Sequence, residues 1–368
     1  MKSSDMVKNV EDRALDAVRN VLGTVPGLQL VSVEHEPTVG GIYQIDGLIH
    51  VGYAGEPYVL VVEVKRDGAP RFVRSAVFQL ESYVAHLRRS AQANNVRHFV
   101  PMLVSPYLSP QSRAICTEHG VAYLDLVGNA RIEFGAVYIE RAVADRPRSE
   151  ARALRSIFAP RASAILRVLL RDPSRAWRVA DLAKEANASF GHVSNVRKAL
   201  LDREWIEVRG DGAVLTQPVA LLKTWRRSYS RPAGRSVTGY TRFHGSQLDD
   251  RLRGKLNPNP DRPRAIYALD SAAHWLAPFS RSGTQSFNAD KLGAELLVQR
   301  LKLGPAARGA NVILRIPTDE SLFDDASEPG PSVFCTSPIA TYLDLWAGNE
   351  RQREAAEHLA DKFLPWLN

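Results

Sequence analysis

The stretch Asp46-Gly-Leu-Ile-His-Val-Gly-Tyr-Ala-Gly-Glu-Pro-Tyr-Val-Leu-Val-Val-Glu-Val-Lys65 decides the reading of this chain. Its first part continues an apolar run that begins at Ile42, and Tyr58 to Val64 is a near-continuous apolar run interrupted only by Glu63. A run of that kind predicts a strand buried on both faces of a sheet. Sixteen residues separate Asp46 from Glu63. That spacing fits two antiparallel strands joined by a hairpin around Gly52 to Pro57, which brings the two carboxylates together. Lys65 follows Glu63 by two residues, so both side chains leave the same face. An exposed acid–lysine pair contributes little. Charges set in an apolar strand are costly unless they are paired or used.

The chemistry that suits this arrangement is phosphodiester hydrolysis. It needs a divalent ion to stabilise phosphate charge and activate a water. Magnesium prefers hard oxygen ligands and takes one or two carboxylates. Asp46 and Glu63 are the candidate metal ligands, and Lys65 places an ammonium beside them. Gln79 and Tyr83, four apart on the helix expected from Phe72 to Ala91, share one face. Either Glu11 or Asp12, on the helix carrying Val7, Val10, Ala14, Leu15, Val18 and Leu22, is a candidate for a further carboxylate. Together Asp46, Glu63, Lys65, Gln79 and Tyr83 are the candidate catalytic residues.

This order of residues resembles the PD-(D/E)xK nuclease superfamily over roughly the first 140 residues. Gln79-x-x-x-Tyr83 is similar to the additional motif of its RecB-like and lambda-exonuclease-like branches. The resemblance implies a restriction-endonuclease-like α/β domain over residues 1–145, using Mg2+ if its site is active.

A polar linker, Ala144 to Glu150, precedes a basic segment. From Glu150 to Tyr240 there are 17 Lys/Arg and 8 Asp/Glu, a balance of +9 against +8 for the whole chain. A basic middle between near-neutral flanks points to phosphate binding. Within it, Ala162 to Leu170 and Arg178 to Ala186 read as helices. Ser189 is a good N-cap for a third helix, Gly191 to Leu201. The polar face of that helix carries His192, Ser194, Asn195, Arg197 and Lys198. Asn pairs bidentately with adenine and Arg with guanine, while Ser and Lys reach phosphates. Trp205 to Thr216 reads as a hairpin with a Gly-Asp-Gly turn and Arg209 near its tip. Residues 150–228 thus form a winged helix-turn-helix expected to bind double-stranded DNA. The alternative is a helical bundle that makes protein contacts only.

A second linker, Ser228 to Ser236, leads to an α/β segment over residues 237–368. It contains strands at Ala265 and Asn311 and a helical end. Its stretch Ser337-Pro-Ile-Ala-Thr-Tyr-Leu-Asp-Leu-Trp346, with the winged helix before it, resembles the AbiEi-type antitoxin and transcriptional regulator family over residues 155 to 368. That resemblance implies binding to an operator and a nucleotidyltransferase-like toxin as partner, with a homodimer possible. It also implies a role in abortive phage infection. The chain departs from the family's minimal form by its nuclease-like first segment.

The expected fold class is therefore a multidomain α/β and α+β protein. Its expected function is a DNA-binding regulator of the antitoxin type, with a magnesium-dependent nuclease guided by the winged helix as the alternative. The 45% hydrophobic and 24% charged fractions are those of a globular chain. Cys116 and Cys335 are the only cysteines, which argues against a disulfide framework or thiolate zinc site. No apolar run of membrane-spanning length occurs, and the polar N-terminal stretch is unlike a signal peptide, so a cytoplasmic location is expected.

Overall fold

The structure is a computed structural model that describes residues 2–39, 41–90, 98–143, 147–210, 212–279, 282–305 and 309–367. The chain divides into two compact units, Met1–Ala151 and Arg152–Asn368. Ala144 to Arg146 of the expected linker and Asp211 of the expected Gly-Asp-Gly turn lie outside the described residues.

The first unit runs α1 (Lys2–Leu22), β1 (Gln29–His35), β2 (Thr38–Val39), β3 (Tyr43–Gln44), β4 (Gly47–Tyr53) and β5 (Glu56–Val64). It continues with α2 (Pro70–Ser90), β6 (His98–Ser105), α3 (Pro110–Glu118), β7 (Ala122–Asp125), β8 (Ala130–Phe134) and β9 (Val137–Arg141). One mixed seven-stranded sheet has the order β1-β4-β5-β6-β7-β8-β9, while β2 and β3 pair separately. The β5–β6 and β6–β7 pairs are parallel, and α2 and α3 supply the crossovers. The alternation along β5 explains its apolar run. Leu60 and Val62 pack with Leu15 and Val18 of α1, and Val59 and Val61 pack with Val73, Val77 and Leu80 of α2. Past its exposed start at Glu56 and Pro57, the strand is buried from Val59 through Glu63.

Two local features hold β4 where the site needs it. Ala54 and Gly55 both have positive φ, at 52° and 84°, which is the backbone of a two-residue hairpin whose twist matches its strands. At Gly47 a Cβ would lie 2.6 Å from Leu15 Cδ2, so the absent side chain lets α1 press onto the sheet. The expected single strand from Ile42 to Val51 is split into β3 and β4. The break has a cause: Ile45 N–H donates to Pro37 O and Glu36 N–H to Asp46 O, so the segment closes on the end of β1.

In the second unit α4 (Arg148–Ile157), which spans the division, leads to α5 (Pro160–Arg171), α6 (Val179–Glu185) and α7 (Phe190–Asp202). The hairpin β10 (Ile206–Arg209) and β11 (Gly212–Leu215) follows, then α8 (Pro218–Ser228). Next come β12 (Gly234–Gly239), α9 (Ser246–Leu252), β13 (Ala265–Tyr267), α10 (Leu269–Leu276), β14 (Gln285–Ala289), α11 (Lys291–Leu301) and β15 (Val312–Pro317). The unit ends with α12 (Ser321–Asp324), β16 (Ser327–Gly330), β17 (Val333–Cys335), α13 (Pro338–Trp346) and α14 (Glu350–Phe363). Its six-stranded sheet has the order β12-β15-β14-β13-β17-β16. Apolar side chains from α5 to α14 join in one continuous core that includes Ile165, Leu200, Phe287 and Tyr342. Cys116 and Cys335 are both buried and unbridged. Among the described residues no helix is long and apolar enough to cross a membrane.

Candidate active site and nucleic-acid interface

The candidate active site lies at the end of the β4–β5 ladder. Gly47 pairs with Val62, so Asp46, one residue earlier, stands across from Glu63, one residue later. Asp46 Oδ2 accepts a hydrogen bond from Val64 N–H at 2.6 Å. Lys65 Nζ donates to Glu63 Oε1 at 2.6 Å. The Glu63 side chain is only 6% exposed and Lys65 26%, so the pair sits at the rim of the core rather than on open surface. The sequence placed these three groups together, and the structure brings them together.

Their electrostatics follow from that position. Burial is the largest cause pushing the Asp46 carboxyl above its ordinary range; Glu36 adds to the rise, while the Val64 hydrogen bond and Lys65 oppose it. Glu63 is raised by burial and then by Asp46, against the pull of Lys65. Glu11 and Asp12 differ in their surroundings. Glu11 is half-buried and is raised by burial and by Asp46, with Arg66 acting against the rise. Asp12 is exposed and faces His35 at 3.5 Å. Three carboxylates thus feel one another, and one lysine does not neutralise them.

Helix α2 forms the next wall. Tyr83 is buried, and its hydroxyl is raised by burial and by the charges of Glu63 and Asp46. The hydroxyl donates to Gln44 O at 3.4 Å. Gln79, one turn earlier on the same helix, has a buried Oε1 with no hydrogen-bond partner. Two further side chains extend this wall that the sequence did not single out. The ring of Tyr43 lies 5.3 Å from Tyr83 and 5.4 Å from His86, edge-on to both. His86 follows Tyr83 by three residues, and that helical spacing was the signal in the sequence that points to it.

Among the described residues no three His, Cys, Asp or Glu side chains form a ready-made metal cage. Asp46 and Glu63 are the side chains that could hold a magnesium ion, which keeps most of its waters and takes only one or two carboxylates. Asp46 raises the carboxyls of Glu11 and Glu63, and Glu11 adds to the rise of Glu63; a cation held there would relieve that repulsion.

The second candidate site is the polar face of α7. Ser189 caps it, its Oγ accepting from His192 N–H at 3.3 Å. Val193, Val196 and Leu200 are buried. Ser194, Asn195 and Lys198 are exposed, as the sequence predicts. His192 and Arg197 are half-buried, and His192 Nε2 and Arg197 Nε are enclosed without hydrogen-bond partners. Arg209, at the end of β10, meets Glu207 at 3.2 Å, and both are exposed. Phe190, the first residue of α7, is 64% exposed and was absent from the residues the sequence selected.

No protein-family model matches the chain, and no curated protein matches it. Among solved structures it is similar to a repair endonuclease from Pyrococcus abyssi, at 20% identity and a TM-score of 0.22 over 30% of this chain and 45% of that one. EndoMS in its apo form gives 20% identity and a TM-score of 0.22 over 31% and 45%. An XisH family protein from Nostoc punctiforme gives 21% and 0.21 over 32% and 88%. The chain thus spans under half the length of the first two. The comparisons supply nothing for an antitoxin-type regulator or for a toxin partner.

Proposed function

We propose that the protein is a divalent-metal-dependent DNA nuclease. Its second unit grips duplex DNA through a winged helix made of α5, α6, α7 and the β10–β11 hairpin. The observation that carries this reading is Asp46 facing Glu63 at the buried end of β5, with Lys65 Nζ 2.6 Å from Glu63.

In this reading Asp46 and Glu63 hold Mg2+ together with its waters. A bound ion would supply charge stabilisation for the phosphate and activate a water. Lys65 offsets the negative charge that builds up on the phosphoryl oxygens. Gln79 offers the otherwise unpaired amide oxygen to the attacking water. Tyr83 and Tyr43 close the wall behind it and keep bulk water out.

The test is cleavage of single-stranded, duplex and branched DNA in Mg2+ or Mn2+, by the wild type and by Asp46→Ala, Glu63→Ala and Lys65→Ala. Cleavage lost in all three variants supports the reading. Intact DNA of every kind with the wild-type protein overturns it.

A regulator without cleavage is the second reading, favoured by the exposed Ser194, Asn195 and Lys198 of α7. It requires tight, sequence-selective binding to one DNA site, with the protein's effect on transcription unchanged by Asp46→Ala.

A further inference from the structure

The first turn of α7 combines features that a helix turned toward water has no reason to combine. Phe190 leaves 64% of its surface exposed. Next to it, Gly191 is exposed, with open space where a Cβ would be. The other exposed side chains of the face are Ser194, Asn195 and Lys198, which are polar or cationic. Between Phe190 and Leu201 there is no Asp or Glu. Ser194 and Lys198 follow Phe190 at intervals of four, so they line one stripe with it.

A surface built to dock another protein gathers several apolar residues into one patch. Here an exposed aromatic ring shares a helix face with Ser194, Asn195 and Lys198 at a helix N-terminus, where the N–H groups of Phe190 and Gly191 have no intrahelical acceptor. Those are donors for a phosphate. With the second unit read as DNA-binding, the partner that suits this face is an anionic polymer that also offers an isolated apolar group near its phosphates. In the major groove of duplex DNA that group is the C5-methyl of thymine.

We propose that Phe190 is a specificity-determining residue of the DNA-binding face, its ring packing against a thymine C5-methyl in the major groove. The proposal rests on the reading of the second unit as DNA-binding. Asn195 and Lys198 then read and anchor the flanking positions. Gly191 lets the backbone of the first turn come close to the phosphates.

The experiment uses the full-length protein in EDTA, so that binding is read without cleavage. Duplexes are selected from a random library, and each thymine of the selected duplex is replaced in turn by deoxyuridine, which lacks only the methyl. One thymine is expected to matter, its replacement weakening wild-type binding about fourfold, the effect of one buried methyl group. Phe190→Ala should bind the thymine and uracil duplexes equally, and Phe190→Leu should keep part of the preference. The exposed position makes either variant safe for the fold, which circular dichroism checks. A wild type indifferent to every replacement, or a Phe190→Ala protein that discriminates as the wild type does, overturns the proposal and leaves DNA binding standing. A wild type that retains no duplex at low salt overturns the DNA-binding reading, and the proposal with it.

Discussion

Asp46 and Glu63 stand opposite one another one step beyond the Gly47–Val62 rung that ends the β4–β5 ladder, and Lys65 pairs with Glu63 there. Burial and mutual repulsion raise both carboxyls. Such groups weaken the metal-free fold while they serve a cation. Glu63→Gln and Asp46→Asn should therefore abolish cleavage, by at least about a hundredfold, and yet raise the melting temperature of the metal-free protein. Removing about 1 kcal/mol of unfavourable charge raises the midpoint by roughly 2–4 °C in a chain of this size class. Calorimetry in EDTA checks this, and a lowered midpoint in both variants counts against it.

The pH dependence has a definite sign. A carboxyl whose folded pKa is raised ionises first in the unfolded chain, so its ionisation favours unfolding. The contribution of Asp46 and Glu63 is thus most favourable below the ordinary carboxylate range and is lost as pH rises through their raised folded values. Bound Mg2+ or Mn2+ reverses the loss, because it prefers the ionised pair. At pH 7.5 the ion at about ten times its dissociation constant should stabilise the protein by about 1.4 kcal/mol. The gain should vanish at pH 4 and in Asp46→Asn. A metal-induced shift of equal size in that variant would place the ion elsewhere.

Gln79 separates a structural role from a chemical one. Its Oε1 is buried without a partner, which costs the fold about 1–3 kcal/mol. Gln79→Leu should hold or raise stability in urea while lowering kcat by one to two orders of magnitude. A variant that loses stability but cleaves at the wild-type rate would make Gln79 a packing residue. Tyr83→Phe removes only a 3.4 Å hydrogen bond and should change stability by less than about 0.5 kcal/mol.

The legible parts of this molecule are those written in local spacing. The hairpin between Asp46 and Glu63, the two-faced burial of β5 and the shared face of Gln79 and Tyr83 follow from periods of two and of 3.6. The cap at Ser189 follows from side-chain chemistry, its Oγ accepting from the N–H three residues on. What was not legible depends on distant partners. The break before Asp46 needs Pro37 and Glu36, which end the neighbouring strand. The different surroundings of Glu11 and Asp12 depend on how α1 packs on the sheet at Gly47. Tyr43 joins the site only because a short hairpin folds its ring onto α2. Phe190 was passed over because an aromatic at the start of an amphipathic helix reads by pattern as core, and only its exposure says otherwise.

Among the described residues of the second unit, Arg167 of α5 is tied to Asp325, far along the chain. Arg167 Nε donates to Asp325 Oδ2 at 2.6 Å, and Arg167 also donates to Ser321 O at 2.9 Å and Ser163 Oγ at 3.1 Å. The two side chains are 4% and 12% exposed. Taking one partner from such a pair leaves the other charge stranded and costs about 3–5 kcal/mol. Arg167→Ala should therefore lower stability in urea by that order. Because α5 packs under α7, it should also raise hydrogen exchange along Val193 to Leu200. Arg167→Met combined with Asp325→Leu removes both charges together and should recover most of the loss, since apolar replacement of a whole buried pair is often neutral. If the double variant is as unstable as Arg167→Ala, the guanidinium's bonds to Ser321 and Ser163, rather than the ion pair, hold α5 in place.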